Sequence, residues 1–208
     1  RDFDVKNKRV LVRCDFNVPF DAEGKVADDF RIQATLPTIE YILKKKGKLV
    51  LMTHLGDPEG KVIQRLKVDG IKEKLAELID VSVTKAPDCV GKGVEALVAK
   101  MAPGEILLLE NLRFHKEEQK NNKSFAQQLA LLGDIYVNDA FSVCHRAHAS
   151  VVGVPRILPS FPGLFLAHEL EGLERLLKNP KHPVVAIIGG VKLESKLPVI
   201  DAISRVAD

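Results

Sequence analysis

Tryptophan is absent from the 208 residues, tyrosine occurs twice, and aromatic side chains make up only 5%. A core without large rings has to be filled by Val, Ile, Leu and Ala, and a hydrophobic content of 46% supplies them amply. Cysteine is scarce too. Cys14, Cys89 and Cys144 are odd in number, widely separated and contain no CxxC pair. That argues against a disulfide framework or a cysteine-rich zinc site, and it points to a reducing, cytoplasmic setting. No stretch approaches the roughly 20 apolar residues of a membrane span. The opening Arg1-Asp2-Phe3-Asp4 does not resemble a signal peptide, and the missing initiator Met suggests a fragment or a processed start. Formal net charge is only +3. A nucleic-acid binder would carry a basic stripe, so any functional positive charge here must be local.

What is present is an alternation. Short β-branched or leucine-rich runs at Arg9 to Cys14, Lys48 to Thr53, Val81 to Lys85, Glu105 to Leu109, Asp134 to Asn138 and Pro183 to Ile188 read as buried strands. Between the first five lie segments with apolar residues three and four apart, namely Ile32 to Lys46, Ile71 to Ile79, Gly93 to Met101 and Ser124 to Leu132. This predicts an α/β fold, a three-layer Rossmann-like parallel sheet with helices on both faces. The stretch from Pro155 to Gly163 carries proline, glycine and serine breakers and is expected to be irregular. An amphipathic helix follows from Leu164 to Lys178, stopped by Asn179-Pro180. One further strand, a Gly-Gly turn and a helix at Leu197 to Val206 cannot bury a core alone, so they read as the start of a second, similar domain.

Ligands of open parallel sheets bind beyond the carboxyl ends of the strands. Arg13 ends the first strand and Asp15-Phe16-Asn17 follow it. His54-Leu55-Gly56-Asp57 follow the second, Arg113 comes just after the strand at 105 to 109, and His145, Arg146 and His148 come after the strand at 134 to 138. Arg31 opens the first helix at the same end. A single arginine or histidine in such a loop is ordinarily a salt-bridged or structural residue. Several strand ends delivering Arg13, Arg31, Arg113, Arg146, His54, His145 and His148 together is a different matter. The guanidinium fork matches phosphate and carboxylate oxygens in pairs and stays charged. Asp15 and Asn17 add an acceptor and an amide suited to a hydroxyl, so the group suits a phosphorylated hydroxy acid. His145 and His148 have no cysteine or acid at zinc-like spacing. The Gly189-Gly190-Val191-Lys192 turn lets backbone approach a phosphate at a helix N-terminus, yet it is neither a Walker A loop nor a GxGxxG turn, and glycine in such turns often serves only to fit.

Together RVLVRCDFNVP, DDFRIQATLPTIEYIL, ENLRFHKEE, VNDAF, HRAHAS and GGVKLESK closely resemble the phosphoglycerate kinase family, in its order and at its spacing, over the whole chain and about half the family's length. The resemblance implies a hinge-closing monomeric kinase of glycolysis and gluconeogenesis. Such an enzyme moves a phosphoryl group between 1,3-bisphosphoglycerate and MgADP, giving 3-phosphoglycerate and MgATP. It implies an acid-binding domain over 1–160, an interdomain helix over 161–180, and the beginning of a nucleotide-binding domain over 181–208. Asp15, Phe16, Asn17, Arg31, His54, Leu55, Gly56, Asp57, Arg113 and Arg146 would contact the acid, with Arg13, His145 and His148 supporting the basic pocket. Arg31 and Lys192 would be catalytic, and Gly189, Gly190, Lys192 and Lys196 would face the nucleotide. Mg2+ would come with ATP or ADP, its ligands lying outside this chain. The 208 residues alone would then bind the acid without turnover. One departure is Asp57, where the family's HLGRP loop usually carries arginine; Val191 and Glu194-Ser195 also differ from the usual pattern. The competing reading is a non-catalytic phospho-acid-binding module.

Overall fold

The protein is described by a computed structural model covering residues 4–178, 180–189 and 197–208. The expected residues Gly190, Lys192 and Lys196 lie outside the described residues. Contacts divide the chain into two compact units, one ending at Leu166 and the other beginning at Ala167.

The first unit holds five strands in chain order, β1 (Arg9–Arg13), β2 (Lys48–Met52), β3 (Val83–Lys85), β4 (Ile106–Leu108) and β5 (Ile135–Asn138), plus β6 (Ser160–Pro162). All pair in parallel in the order β3-β4-β2-β1-β5-β6. Parallel neighbours need crossovers, and the sequence supplies helices for them: α1 (Phe30–Lys44), α2 (Asp69–Leu78), α3 (Lys92–Lys100), the short α4 (Lys116–Gln119) and α5 (Lys123–Ala130).

Strand side chains alternate between the faces, and two cores follow from that period. Val10, Val12, Leu49, Leu51, Ile106 and Leu108 pack with Ile32, Ile39 and Ile42 of α1 and Ile71 and Leu75 of α2. Their chain neighbours Leu11, Val50 and Leu107 point the other way and meet Val94 and Val98 of α3 and Phe125 and Leu129 of α5. The sheet is therefore covered on both sides, which is why its strands read as continuous apolar runs rather than alternating ones. A β-carbon pattern shifted by one residue would exchange the two cores, so the register is strongly fixed.

Two expectations fail, for one physical reason. The proline-rich stretch expected to be irregular contains β6, whose Ser160, Phe161 and Pro162 pair with Tyr136, Val137 and Asn138. Proline lacks an N–H, but an edge strand needs donors on one side only. Conversely, residues 183–188, expected as a strand, form none. Val185 and Ile187 are largely exposed, and no neighbouring strand exists among the described residues of that unit. Strand propensity is realised by pairing and burial, not by composition alone.

The second unit comprises most of α6 (Leu164–Lys178) and α7 (Leu197–Ile203). Its chain end is closed by Asp208, whose carboxylate accepts from the Val184 N–H at 2.7 Å and pairs with His182 Nδ1 at 2.9 Å.

Candidate functional site

The four central strands β4, β2, β1 and β5 each send polar residues past their carboxyl ends. Arg13, at the end of β1, is fully buried. Its Nη1 donates to the Cys14 carbonyl at 2.5 Å, its Nε to Ser150 Oγ at 3.0 Å, and its Nη2 lies 3.1 Å from His54 Nδ1. A guanidinium can only donate, so His54 Nδ1 is the acceptor, and the ring must carry its proton on Nε2. Burial, with Arg13, Arg113, Arg146 and His148 nearby, lowers the His54 pKa to about 2. Burial and the same three arginines lower His148 to about 4. Both imidazoles are thus neutral at neutral pH and serve as hydrogen-bonding groups. The positive charge of the pocket resides in its arginines, which corrects the expectation that the histidines contribute to it.

Arg113 projects from a 3-10 turn at Leu112–Phe114, held by the Asn111 side chain accepting from the Arg113 N–H. Its Nη1 donates to the Gly56 carbonyl at 2.7 Å, while its buried Nη2 has no partner. Burial and the neighbouring Arg146 lower its pKa, an effect that Asp57 opposes. Gly56 sits at φ +61°, a conformation glycine adopts without strain, and its N–H donates to Asn17 Oδ1 at 2.8 Å. Asn17 therefore spends its carbonyl on the loop and keeps its amide as a donor. Asp57 lies 3.8 Å from Arg113 and accepts from Gln119 at 3.0 Å. The reversed charge stands beside the pocket arginine and is not turned away from it.

Asp15 pairs with Arg31 at 2.8 Å and accepts from Ser142 Oγ at 2.6 Å, both through Oδ2. Its buried Oδ1 is unpartnered. A buried acceptor with no donor costs about 1–3 kcal/mol and is retained where a ligand donor meets it. His148 Nδ1 similarly has no hydrogen-bond partner, although Glu118 Oε1 lies 3.9 Å away. Beneath them, buried Glu118 accepts from the Ser150 N–H at 2.9 Å and from Ser150 Oγ at 2.5 Å. Ser150 in turn accepts from Arg13, so Glu118 fixes the arginine through one hydroxyl.

The fold thus brings together Arg13, His54, Arg113, Arg146 and His148, with the Asp15–Arg31 pair formed at the strand ends. His145 is exposed, its one described hydrogen bond being to the neighbouring Arg146 at 3.4 Å. Phe16 and Leu55 turn their side chains into the core. Their N–H groups are already given to Thr53 Oγ1 and Asn111 Oδ1. Neither presents a side chain to a ligand. Sequence reasoning missed Ser142, Ser150, Glu118 and Asn111, of which Asn111, three positions past the end of β4, is the most open to that argument.

Asp139, just after β5, was not expected to act at all. It is completely buried and accepts from Thr38 Oγ1 and from the N–H groups of Phe165 and Leu166, the latter at 3.1 Å, while the Leu164 N–H donates to Thr38 Oγ1 at 2.8 Å. The first turn of α6 is therefore capped from β5 and α1. A Cβ on Gly163 would collide with the Asp139 carboxylate, so this approach requires glycine.

A family model described as phosphoglycerate kinase matches residues 1–208. The chain belongs to the phosphoglycerate kinase family. It is 54% identical over 200 residues to the phosphoglycerate kinase of Moorella thermoacetica, a match covering 96% of this chain and 51% of the relative. The Aquifex aeolicus phosphoglycerate kinase is 48% identical over 209 residues, covering all of this chain and 52% of the relative. Among solved structures, the phosphoglycerate kinase of Coxiella burnetii superposes with a TM-score of 0.85 at 34% identity over 100% of this chain and 52% of its own. That of Pyrococcus horikoshii OT3 gives 0.88 at 33% identity over 99% and 52%. The chain spans about half the length of the phosphoglycerate kinases it matches.

Proposed function

We propose that this chain carries the acid-binding half of a phosphoglycerate kinase that transfers a phosphoryl group between 1,3-bisphosphoglycerate and ADP, giving 3-phosphoglycerate and ATP. The observation that carries this reading is that buried polar atoms of complementary kinds stand unpartnered past the carboxyl ends of strands in one sheet. Asp15 Oδ1 accepts, as a substrate hydroxyl requires, and Arg113 Nη2 donates, as a phosphate requires. Arg113, Arg146 and Arg13 supply charge for the non-transferring phosphate, and neutral His54 and His148 add hydrogen bonds. Arg31, half-exposed and paired with Asp15, serves the transferring group in this reading.

In the ATP-consuming direction the nucleophile is a carboxylate, ionised at neutral pH given a reference value near about 4. It needs no general base, so catalysis rests on alignment and on stabilising spread negative charge. Gly189, Gly190, Lys192 and Lys196 face the nucleotide in this reading. Mg2+ does not fit the described pocket: Asp15 is held by Arg31 and Ser142, Asp57 stands by Arg113, and Glu118 is bound to Ser150. A metal entering with the nucleotide is therefore assigned no ligand here. The same reading makes 1–160 the acid domain, 161–180 an interdomain helix and 181–208 the start of the nucleotide domain of a cytoplasmic monomer. Among the described residues no helix is long and apolar enough to cross a membrane.

Calorimetric titration with 3-phosphoglycerate tests it. The 208 residues should bind the acid and give no ATP-dependent turnover by themselves. Arg113→Ala should weaken binding by about 2 kcal/mol, some thirtyfold, because a buried charge-assisted hydrogen bond is lost. No heat from the parent protein, or full affinity in the variant, would overturn the assignment.

A further inference from the structure

Away from the acid pocket, the loop after β3 meets the strap that follows Arg113. There Asp88, Cys89 and His115 place a carboxylate oxygen, a thiol sulfur and an imidazole nitrogen within 4.8 Å of one another. Asp88 Oδ1 is the hub: it lies 2.7 Å from His115 Nε2 and accepts from the Cys89 N–H at 2.6 Å. The ring of His115 is held by stacking on Phe125, 5.2 Å between centroids. A cleft of about 400 Å3 opens on its outer side, lined by Val90, His115, Glu117, Asn122, Ser124 and Phe125.

We propose that Asp88, Cys89 and His115 form a binding site for one borderline divalent cation of the zinc type. A carboxylate oxygen, a thiol sulfur and an imidazole nitrogen within 4.8 Å of one another make a donor set that one cation can draw together. Bonds of about 2.0–2.3 Å to sulfur, nitrogen and oxygen need the three atoms about 3.3–3.7 Å apart, and the three lie within 4.8 Å of one another. A mixed sulfur, nitrogen and oxygen set selects zinc or cobalt over magnesium or calcium, which demand oxygen. On binding, the Cys89 S–H bond breaks, sulfur bonds to the cation and the proton leaves to solvent; no oxidation state changes. Chain spacing hides the site because its ligands come from two loops. The bound ion would cross-link the β3–α3 loop to the segment that carries Arg113, two positions before His115.

Cobalt titration of the Cys144→Ser protein, which lacks the exposed thiol, reads the site directly. The expected result is one equivalent of Co2+ with a near-ultraviolet thiolate-to-cobalt band, displaced by Zn2+ and strengthening as pH rises. Cys89→Ser should abolish the band, and His115→Gln should weaken cobalt binding at least tenfold, each with a circular dichroism spectrum like the parent's. No thiolate band in the Cys144→Ser protein, a band that survives Cys89→Ser, or binding unaffected by His115→Gln would overturn the proposal; the trio would then be a hydrogen-bonded tie between two loops.

Discussion

Arg13 leaves β1 with its guanidinium divided among the Cys14 carbonyl, Ser150 and His54, so one buried residue sets both a charge and a tautomer. The histidines carry the pH consequence. A folded-state pKa below the usual 6.5 means the unfolded chain binds protons that the folded one refuses. Stability is then fully present above about pH 6.5 and falls as pH drops toward 4 and below. His54 alone accounts for at most about 1.4 kcal/mol per pH unit across that window. Urea unfolding from pH 7 to pH 4.5 should show the decline, and His54→Asn, whose amide cannot titrate, should flatten it; an unchanged slope would mean His54 is protonated when folded. Asp57 gives the other residue-scale prediction. Its carboxylate is mostly exposed, so its 3.8 Å approach to Arg113 is screened and amounts to about 0.5–1 kcal/mol. Asp57→Asn should tighten 3-phosphoglycerate binding by about two- to fivefold, and Asp57→Arg by more, in calorimetry. Equal affinities would show that the carboxylate does not act on bound phosphate.

At the scale of elements, what was legible in the sequence depended on how local the cause was. The runs RVLVR and KLVLM announce β1 and β2 because both faces of the sheet are covered and every position is apolar. Residues at and beyond the strand ends are open to inspection for the same reason, and position alone points to Arg13, Asp15 and His54 at β1 and β2 and to Arg113 beyond β4. Ser150 and Glu118 were not, since their role exists only where the helix carrying Glu118 packs under the strand end carrying Arg13. Phe16 and Leu55 show the converse: strand-end residues whose side chains return to the core. Neither β6 nor the unpaired run at 183–188 could be read locally, because pairing decides both. The cap on α6 is of this long-range kind. Asp139→Ala removes an acceptor shared by Thr38, Phe165 and Leu166 and should cost about 1–3 kcal/mol. The measurement is a denaturant midpoint, together with faster amide exchange at Phe165 and Leu166. Unaltered exchange at those two amides would show that the first turn of α6 holds without the carboxylate.

For the whole molecule, the distinction between a closed sheet core and an unpaired apolar run sets where stability resides. Amides of β1, β2, β4 and β5 lie in a sheet covered on both faces, and their exposure requires opening the entire first unit. Val184 is tied to Asp208 through the latter's backbone and side chain, but Val185 and Ile187 beyond it are 78% and 95% exposed, with no strand beside them among the described residues. Hydrogen exchange followed by mass spectrometry should therefore separate two populations. Peptides from residues 9–13, 48–52 and 135–138 should exchange only at the rate of global unfolding, and slow further when 3-phosphoglycerate binds, because the ligand stabilises the state it binds. Peptides covering 185–188 should label in the earliest time points and ignore the acid. Apolar side chains held in water are costly, so this second population also reports whether a neighbouring strand is available. If 185–188 proved protected in the 208-residue chain at low concentration, a strand would have formed without the partners that parallel pairing requires, and the account of why that run is unstructured would fail. If protection appeared only as concentration rose, self-association through the unpaired run would be the cause, and the proposed monomer would hold only for a chain in which that run is paired.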